Sequence, residues 1–107
     1  MTFNLKQNDT SPAMLVGLQD ANRNVVNITG ATVRFYMRQI GASQVKVDAP
    51  VNIVSALDGT VVYNWIADDT DTVGSYQCEF EVTYSDGTTE TFPNGAYIRV
   101  EIIDDIN

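Results

Sequence analysis

Apolar and polar residues alternate with a period of two along most of this chain. The alternation is clearest in ATVRFYMRQ at 31–39, SYQCEFEVTYS at 75–85 and AYIRVEII at 96–103. Successive side chains of a β-strand point to opposite faces, so each segment has one face for a core and one for solvent. No segment has a convincing helical stripe, and the best helical candidate is a single turn around 68–73. The pattern therefore predicts a protein built of β-strands.

Turn signals separate the alternating segments. DG at 86–87 lies between two strand-like runs and is a strong hairpin signal, and DG at 58–59 and PNG at 93–95 mark further turns. Many short strands at this spacing are typical of a β-sandwich or a small barrel, here in one domain covering residues 1–107. The predicted strands lie near residues 2–6, 13–19, 24–28, 31–39, 44–48, 50–56, 60–66, 75–85, 88–92 and 96–103.

Charge narrows the range of partners. The 107 residues are 44% apolar and carry a net charge of -8, from 14 acidic and 6 basic side chains. Such a surface repels phosphate, so nucleic acid and anionic membranes are poor partners and a basic protein surface is favoured. The acidic excess could also serve solubility alone. With no signal-peptide core and no stretch that could span a membrane, we expect folding in the cytoplasm.

The acidic segment DDTD at 68–71 raises the question of a metal site. A calcium loop starting at Asp69 would need an oxygen ligand at its fifth position and glutamate at its twelfth, and these positions hold Val73 and Phe80. A solvated acidic turn is the favoured interpretation, and a looser site formed by Asp68, Asp69 and Asp71 stays as the alternative. We predict no metal and no cofactor.

Cys78 is the only cysteine and could in principle be a nucleophile. A catalytic thiol usually has a histidine base, and the chain contains no histidine. Cys78 is also in phase with Phe80 and Val82, so it should point into the core as an inert thiol. Without histidine, catalysis would depend on paired carboxylates, and the acids here lie mostly on turns and wet faces. We therefore predict no catalytic residues.

Tyr76 lies two residues before Cys78, after an acidic turn and a glycine. In immunoglobulin-like sandwiches a tyrosine in this position packs inward, and its hydroxyl bonds to the backbone a few residues upstream, here near Asp71. The predicted fold is therefore an all-β, immunoglobulin-like antiparallel β-sandwich. Trp65 should be a core aromatic on the strand before the corner, with an exposed interface anchor as the alternative.

The segments VNITGATVRFYMR, DGTVVYNWIADDTDTVGSYQCEFEVTYSDGTTETFPN and YIRVEI together resemble the N-terminal domain of BppU-type phage baseplate upper proteins, over roughly 14–103. The resemblance implies a β-sandwich that attaches tail or baseplate components to one another. It transfers scaffold residues only: Gly30 and Gly59 at turns, Trp65 and Tyr76 in the core, and Pro93 at the end of a strand. Family members usually continue beyond this domain, whereas the predicted strands here run almost to the last residue. A free-standing tail or head accessory protein, or a prophage product reduced to one module, is therefore also considered.

We therefore predict a phage or prophage virion structural protein, made in the host cytoplasm, that assembles with other virion proteins and possibly with itself. The threonines of the hairpin, Thr88, Thr89 and Thr91, suit an edge strand for such docking. The alternative is a carbohydrate-binding or adhesin-like sandwich. Its sugar platform would use exposed aromatics, for which the candidates are Tyr36, Tyr63 and Tyr97, each opposite the predicted core phase or ambiguous in phase.

Overall fold

The computed structural model describes residues 2–106, and this part of the chain folds into two packed β-sheets. The prediction of an all-β sandwich is confirmed. The only helical segment among these residues is one 3₁₀ turn, Ala67–Thr70, close to the helical turn predicted around 68–73. None of the described residues forms a helix long and apolar enough to cross a membrane. The strands are β1 (Thr2–Lys6), β2 (Met14–Gly17), β3 (Thr32–Gln39), β4 (Val47–Pro50), β5 (Asn52–Ser55), β6 (Thr60–Tyr63), β7 (Gly74–Thr83), β8 (Thr89–Phe92) and β9 (Ile98–Ile103).

The large sheet is organised around β7, which has ten residues and is the longest strand described. Its order is β1-β9-β7-β3-β4, and β8 also pairs with β7. One side of β7 pairs with β3 from Tyr76 to Thr83. On the other side β9 pairs with its first half and β8 with its second half. The small sheet has the order β2-β6-β5.

One pairing departs from a purely antiparallel sandwich, because β1 runs parallel to β9. Almost the entire domain lies between these two strands in the sequence, so no tight turn forces them to run in opposite directions. The alternating pattern predicts which face of a strand is buried, but it carries no information about strand direction.

The core lies between the sheets and is formed by the inward residues that the alternation predicts. Phe35 from the large sheet stacks on Tyr63 from the small sheet, with ring centroids 4.3 Å apart. Phe80 packs against the other side of this contact, with its centroid 5.2 Å from that of Phe35. The inward positions of the three clearest strands are all buried: Val33, Phe35, Met37, Tyr76, Cys78, Phe80, Val82, Ile98, Val100 and Ile102.

The strand predicted at 24–28 is wrong. This segment forms only an isolated bridge between Val25 and Gln19. It crosses from the end of β2 to the turn after β5, where Val26 N donates to the carbonyl of Leu18 and Ile28 N to that of Ala56. This segment thus makes one hydrogen bond to each of two different parts of the chain, and no β-ladder forms. The strands predicted at 44–48, 50–56 and 60–66 are present in shifted or shortened form.

Gly59 occupies a position that excludes any side chain. Its φ is +67°, and an added Cβ would lie 2.4 Å from the carbonyl oxygen of Val26 and 3.1 Å from that of Leu18. Gly87 has a comparable φ of +89° but nothing within 4 Å of an added Cβ. Comparing substitutions at the two glycines therefore distinguishes the cost of the left-handed backbone from the cost of the steric collision.

We predict that Gly87→Ala lowers the free energy of unfolding by about 1–2 kcal/mol, the cost of the left-handed conformation alone. Gly59→Ala should cost clearly more, because the methyl group also collides with two carbonyl groups. Urea denaturation of both variants measures the difference. Equal losses of stability in the two variants would contradict the close approach at Gly59.

Candidate interaction surface

The acidic segment at 68–71 and the start of β7 form a corner, and this corner is built around Tyr76. The ring of Tyr76 is 1% exposed, and its hydroxyl donates to the carbonyl of Thr72 at 2.6 Å. Burial raises the pKa of Tyr76, so the hydroxyl stays a donor. The predicted corner is confirmed, and its acceptor is one residue after Asp71. The bond holds the turn that leads into β7.

Asp69 corrects the prediction that the whole acidic turn is solvated. It is 5% exposed, and its Oδ2 accepts from the Tyr63 hydroxyl at 2.6 Å and from the Ile66 amide at 3.0 Å. A buried carboxylate is costly unless it is hydrogen-bonded, and both of these donors bond to Oδ2. Burial, followed by the Asp69 hydrogen bond, raises the pKa of Tyr63 well above its usual range. Asp69 therefore stabilises the 3₁₀ turn through hydrogen bonds on its buried side.

The acids on either side of Asp69 point to solvent. Asp71 accepts from Lys46 Nζ at 2.7 Å, and this hydrogen bond, followed by one from Thr72, lowers the pKa of Asp71. Asp68 is exposed. Within residues 2–106, no three His, Cys, Asp or Glu side chains are grouped so that they could hold a metal ion. The acidic segment therefore divides into one core residue and exposed neighbours.

Trp65 is a core aromatic, as predicted, although it follows β6 rather than lying within it. Its ring packs edge-on against Tyr63 at 5.2 Å and Phe35 at 5.7 Å, and it also contacts Phe3 at 6.0 Å. At 4% exposure it cannot be an interface anchor, which was the alternative. Its Nε1 is buried without a hydrogen-bond partner. The aromatic packing therefore outweighs the cost of one unpaired donor.

Cys78 is an inert core thiol. It is 1% exposed, and burial, with a smaller contribution from the charge of Glu79, raises its pKa to about 12. A thiol is nucleophilic only as the thiolate, so this side chain is unreactive in the folded protein.

The three tyrosines considered for sugar binding do not lie together on one outer surface. Tyr63 is in the core, so its selection as a sugar-binding candidate is wrong. Tyr36 lies half-buried in the middle of β3, and Tyr97 precedes β9 with 42% exposure. Since β7 separates β3 from β9, two strand spacings of about 4.8 Å lie between them. Tyr36 and Tyr97 therefore remain the only outward candidates among the three.

The outer face of the large sheet is charged. Arg34 Nε donates to Asp48 at 2.8 Å, and Arg99 Nε donates to Glu101 at the same distance. The Asp48 hydrogen bond raises the pKa of Arg34, and bonds from Ser75 and then Arg99 lower that of Glu101. Exposed pairs of this kind contribute little stability and keep the face hydrated.

The outer face of the small sheet has the opposite character. None of the twelve residues of β2, β5 and β6 carries a charge. Leu15 is 63% exposed and lies opposite the half-buried Val62 of β6. A bulge between Ile53 and Ser55 leaves Val54 59% exposed. We call Leu15, Val54 and Val62 the apolar face.

Sequence reasoning overlooked the apolar face, although a signal for it exists. Each of its strands contains two consecutive apolar residues: LV at 15–16, IV at 53–54 and VV at 61–62. A strand with one wet face alternates, whereas a strand covered on both faces has continuous apolar residues. The doublets therefore indicate strands with two apolar faces, of which this chain covers only one.

Comparison with known proteins identifies the family. The sequence profile of the BppU N-terminal domain matches residues 2–93. The chain belongs to the BppU N-terminal domain family. This family is a phage structural domain, so the chain is a phage structural protein. No curated protein sequence matches the chain.

A solved structure shares the fold of this BppU-type domain. The N-terminal domain of phage TP901-1 ORF48 superposes with a TM-score of 0.67 at 18% identity, covering 98% of this chain and 86% of that one. The family resemblance drawn from the sequence is thus confirmed. The scaffold residues it implied also have their expected places: Trp65 and Tyr76 are buried, and β8 ends directly before Pro93.

We predict that Tyr76→Phe lowers the free energy of unfolding by about 1–3 kcal/mol, because the Thr72 carbonyl loses its donor in a partly buried site. Tyr97→Phe is the matched control, since Tyr97 is exposed and should change stability by less than about 0.5 kcal/mol. Urea denaturation measures both. Equal midpoints for Tyr76→Phe and wild type would contradict the role of the corner.

We predict that Cys78 reacts with a thiol reagent such as DTNB only when the protein unfolds. The pKa of about 12 leaves almost no thiolate at neutral pH, and burial blocks access. In urea the pKa should return to about 8.5 and labelling should become fast. Labelling rates across a urea series should follow the unfolded fraction. Rapid labelling of the folded protein would show that the thiol is accessible.

Proposed function

We propose that this BppU-type domain is an assembly module of a phage or prophage tail or baseplate, and that it docks to another virion protein through its apolar face. The observation that carries the proposal is the uncharged outer side of the small sheet in a chain of net charge -8. Contiguous apolar surface rimmed by polar residues is typical of protein interaction sites.

Charge distribution indicates the kind of partner. Acidic residues surround the small sheet, with Asp58 in the turn between β5 and β6 and Asp68 after Trp65. A partner with an apolar centre and a basic rim would complement this arrangement. A second copy of the chain would bring the same excess of negative charge, so a different virion protein is favoured over self-association. For the same reason we expect no binding to nucleic acid or anionic membranes.

Two further elements of the proposal follow from this role. We expect the protein to be made in the host cytoplasm, to be incorporated into the virion, and to have no enzymatic activity. The threonine-rich β8 pairs only with β7, so it also offers an edge to a neighbour. The apolar face is favoured over this edge because desolvation of apolar surface provides the larger driving force.

We predict that Leu15→Glu weakens docking at least tenfold, which corresponds to about 1.4 kcal/mol, because the charge must be buried against the partner. Ile103→Glu is the matched control: Ile103 is 45% exposed but lies on the outer face of the large sheet. Each variant is produced together with the tail and baseplate proteins of the phage that encodes it. Complexes are then measured by size-exclusion chromatography with light scattering.

The proposal requires wild type and Ile103→Glu to form the same complex and Leu15→Glu to elute as the free domain. Equal complex formation by all three would show that docking uses another surface. A wild-type protein that binds none of these proteins, but binds a defined glycan on an array, would support the carbohydrate-binding alternative.

A further inference from the structure

A groove of about 260 Å³ opens beside the small sheet, at the edge formed by β2. Its floor consists of Phe80, Phe92 and Ile98 from the large sheet, and Val16 and Leu18 form one wall. The groove exists because β8 and β9 pair with different halves of β7 and diverge between Phe92 and Ile98. The small sheet ends at β2 and does not cover this opening.

The open side of β2 carries unpaired backbone groups. β2 pairs only with β6, and the Leu18 amide continues that ladder by donating to the Gly59 carbonyl at 2.8 Å. Alternate residues of an antiparallel pair bond to the same neighbour, so Leu15, Gly17 and Gln19 direct their N–H and C=O groups away from β6. Within residues 2–106, no backbone hydrogen bond outside regular strand pairing involves these three residues.

This edge also lacks the usual protection against strand addition. Exposed edges are commonly blocked by proline or lysine, and β4 ends in Pro50 with Lys46 directly before it. β2 has neither residue in Met14–Gly17. At Gly17, the last residue of β2, there is nothing within 4 Å of an added Cβ, so no other element covers the face of the sheet at this end of the strand.

We propose that the free edge of β2 accepts an extended segment of a partner virion protein, which adds a fourth strand to the small sheet and places an apolar side chain in the groove. This inference rests on the proposed docking function and names the element that docks. Main-chain bonds would provide the affinity, and the groove would select the side chain.

Charge predicts a basic residue in the segment. Asp20 is the only charged side chain lining the groove, and it lies beyond the end of β2. Its Oδ1 accepts from the Asn22 and Asn24 amides, which fixes the carboxylate in place. A lysine or arginine of the added strand would pair with it. The segment is thus extended, apolar at alternate positions, and basic at the end near Asp20.

Two other occupants fit the groove less well. A second copy could pair through its own β2, but the inward side chains of that strand are buried in its own core, where Met14 is fully buried and Leu18 is 2% exposed. Those side chains could not enter the groove of the first copy. Small-molecule sites usually have about 300–1,000 Å³, more than this groove provides. An extended peptide needs only one side-chain pocket and a free backbone edge, and both are present.

Selection from a displayed library of ten-residue peptides on the wild-type protein tests the proposal. Val16→Phe serves for counter-selection, because the larger ring should fill the groove. Enriched peptides should share alternating apolar residues with a terminal lysine or arginine. A synthetic copy should slow amide exchange at Leu15, Gly17 and Gln19 at least tenfold in NMR spectra.

Variants separate the contributions of backbone, groove and charge. Gly17→Pro removes one edge N–H and should weaken peptide binding at least tenfold, as should Val16→Phe. Asp20→Asn should weaken binding of a lysine-containing peptide only. Asp104→Asn, at an exposed position after β9 and at the opposite end of that strand from Ile98, should leave binding unchanged. Because Gly17→Pro and Val16→Phe act differently on the fold, misfolding of one leaves the other as a test.

The proposal is overturned if no peptide is enriched, or if enriched peptides protect amides other than those of the β2 edge. Its failure is distinguishable from failure of the docking function. If Val16→Phe and Gly17→Pro still form the virion complex while Leu15→Glu does not, docking through the apolar face holds and strand addition is wrong.

Discussion

The contact between Tyr63 and Phe35 joins the two sheets, and the local structure around the corner follows from it. Tyr63 is the last residue of β6, and its ring stacks on that of Phe35 in the middle of β3. Its hydroxyl reaches the buried carboxylate of Asp69, which also accepts from the backbone before the 3₁₀ turn. One side chain therefore fixes both the sheet packing and the path of the chain leaving the small sheet.

That path determines where β7 begins. The 3₁₀ turn leads directly into the segment whose Thr72 carbonyl accepts from Tyr76. Since β7 pairs with β3 on one side and with β8 and β9 on the other, an error in its starting point would shift all three of these registers. The two tyrosine hydroxyl bonds, each 2.6 Å long, thus define the connection between the sheets.

Much of this arrangement could be predicted from alternation, because a strand covered on one face shows its phase directly. Consecutive valines obscure the phase of β6, and the sequence pattern left Tyr63 either outward or ambiguous. The signal that corrects it was present: Trp65 is two residues later and was predicted to be buried, so Tyr63 shares its face. The parallel β1–β9 pair and the burial of Asp69 could not be predicted. Alternation does not show which strand pairs with which, in which direction a strand runs, or which distant donor reaches a side chain.

The free edge of β2 and the apolar face also depend on the mismatch in size between the sheets. A three-stranded sheet cannot cover a six-stranded one, and the groove beside β2 opens where inner residues such as Phe92 border the end of this cover. The same small sheet carries no charge on its strands, whereas the large sheet is covered by ion pairs. Exposed apolar surface favours aggregation, and a net charge of -8 opposes it by repulsion between copies. Repulsion between like chains does not prevent docking to a basic partner. The charge therefore allows the protein to keep an uncovered sheet for a different protein while remaining separate from its own copies.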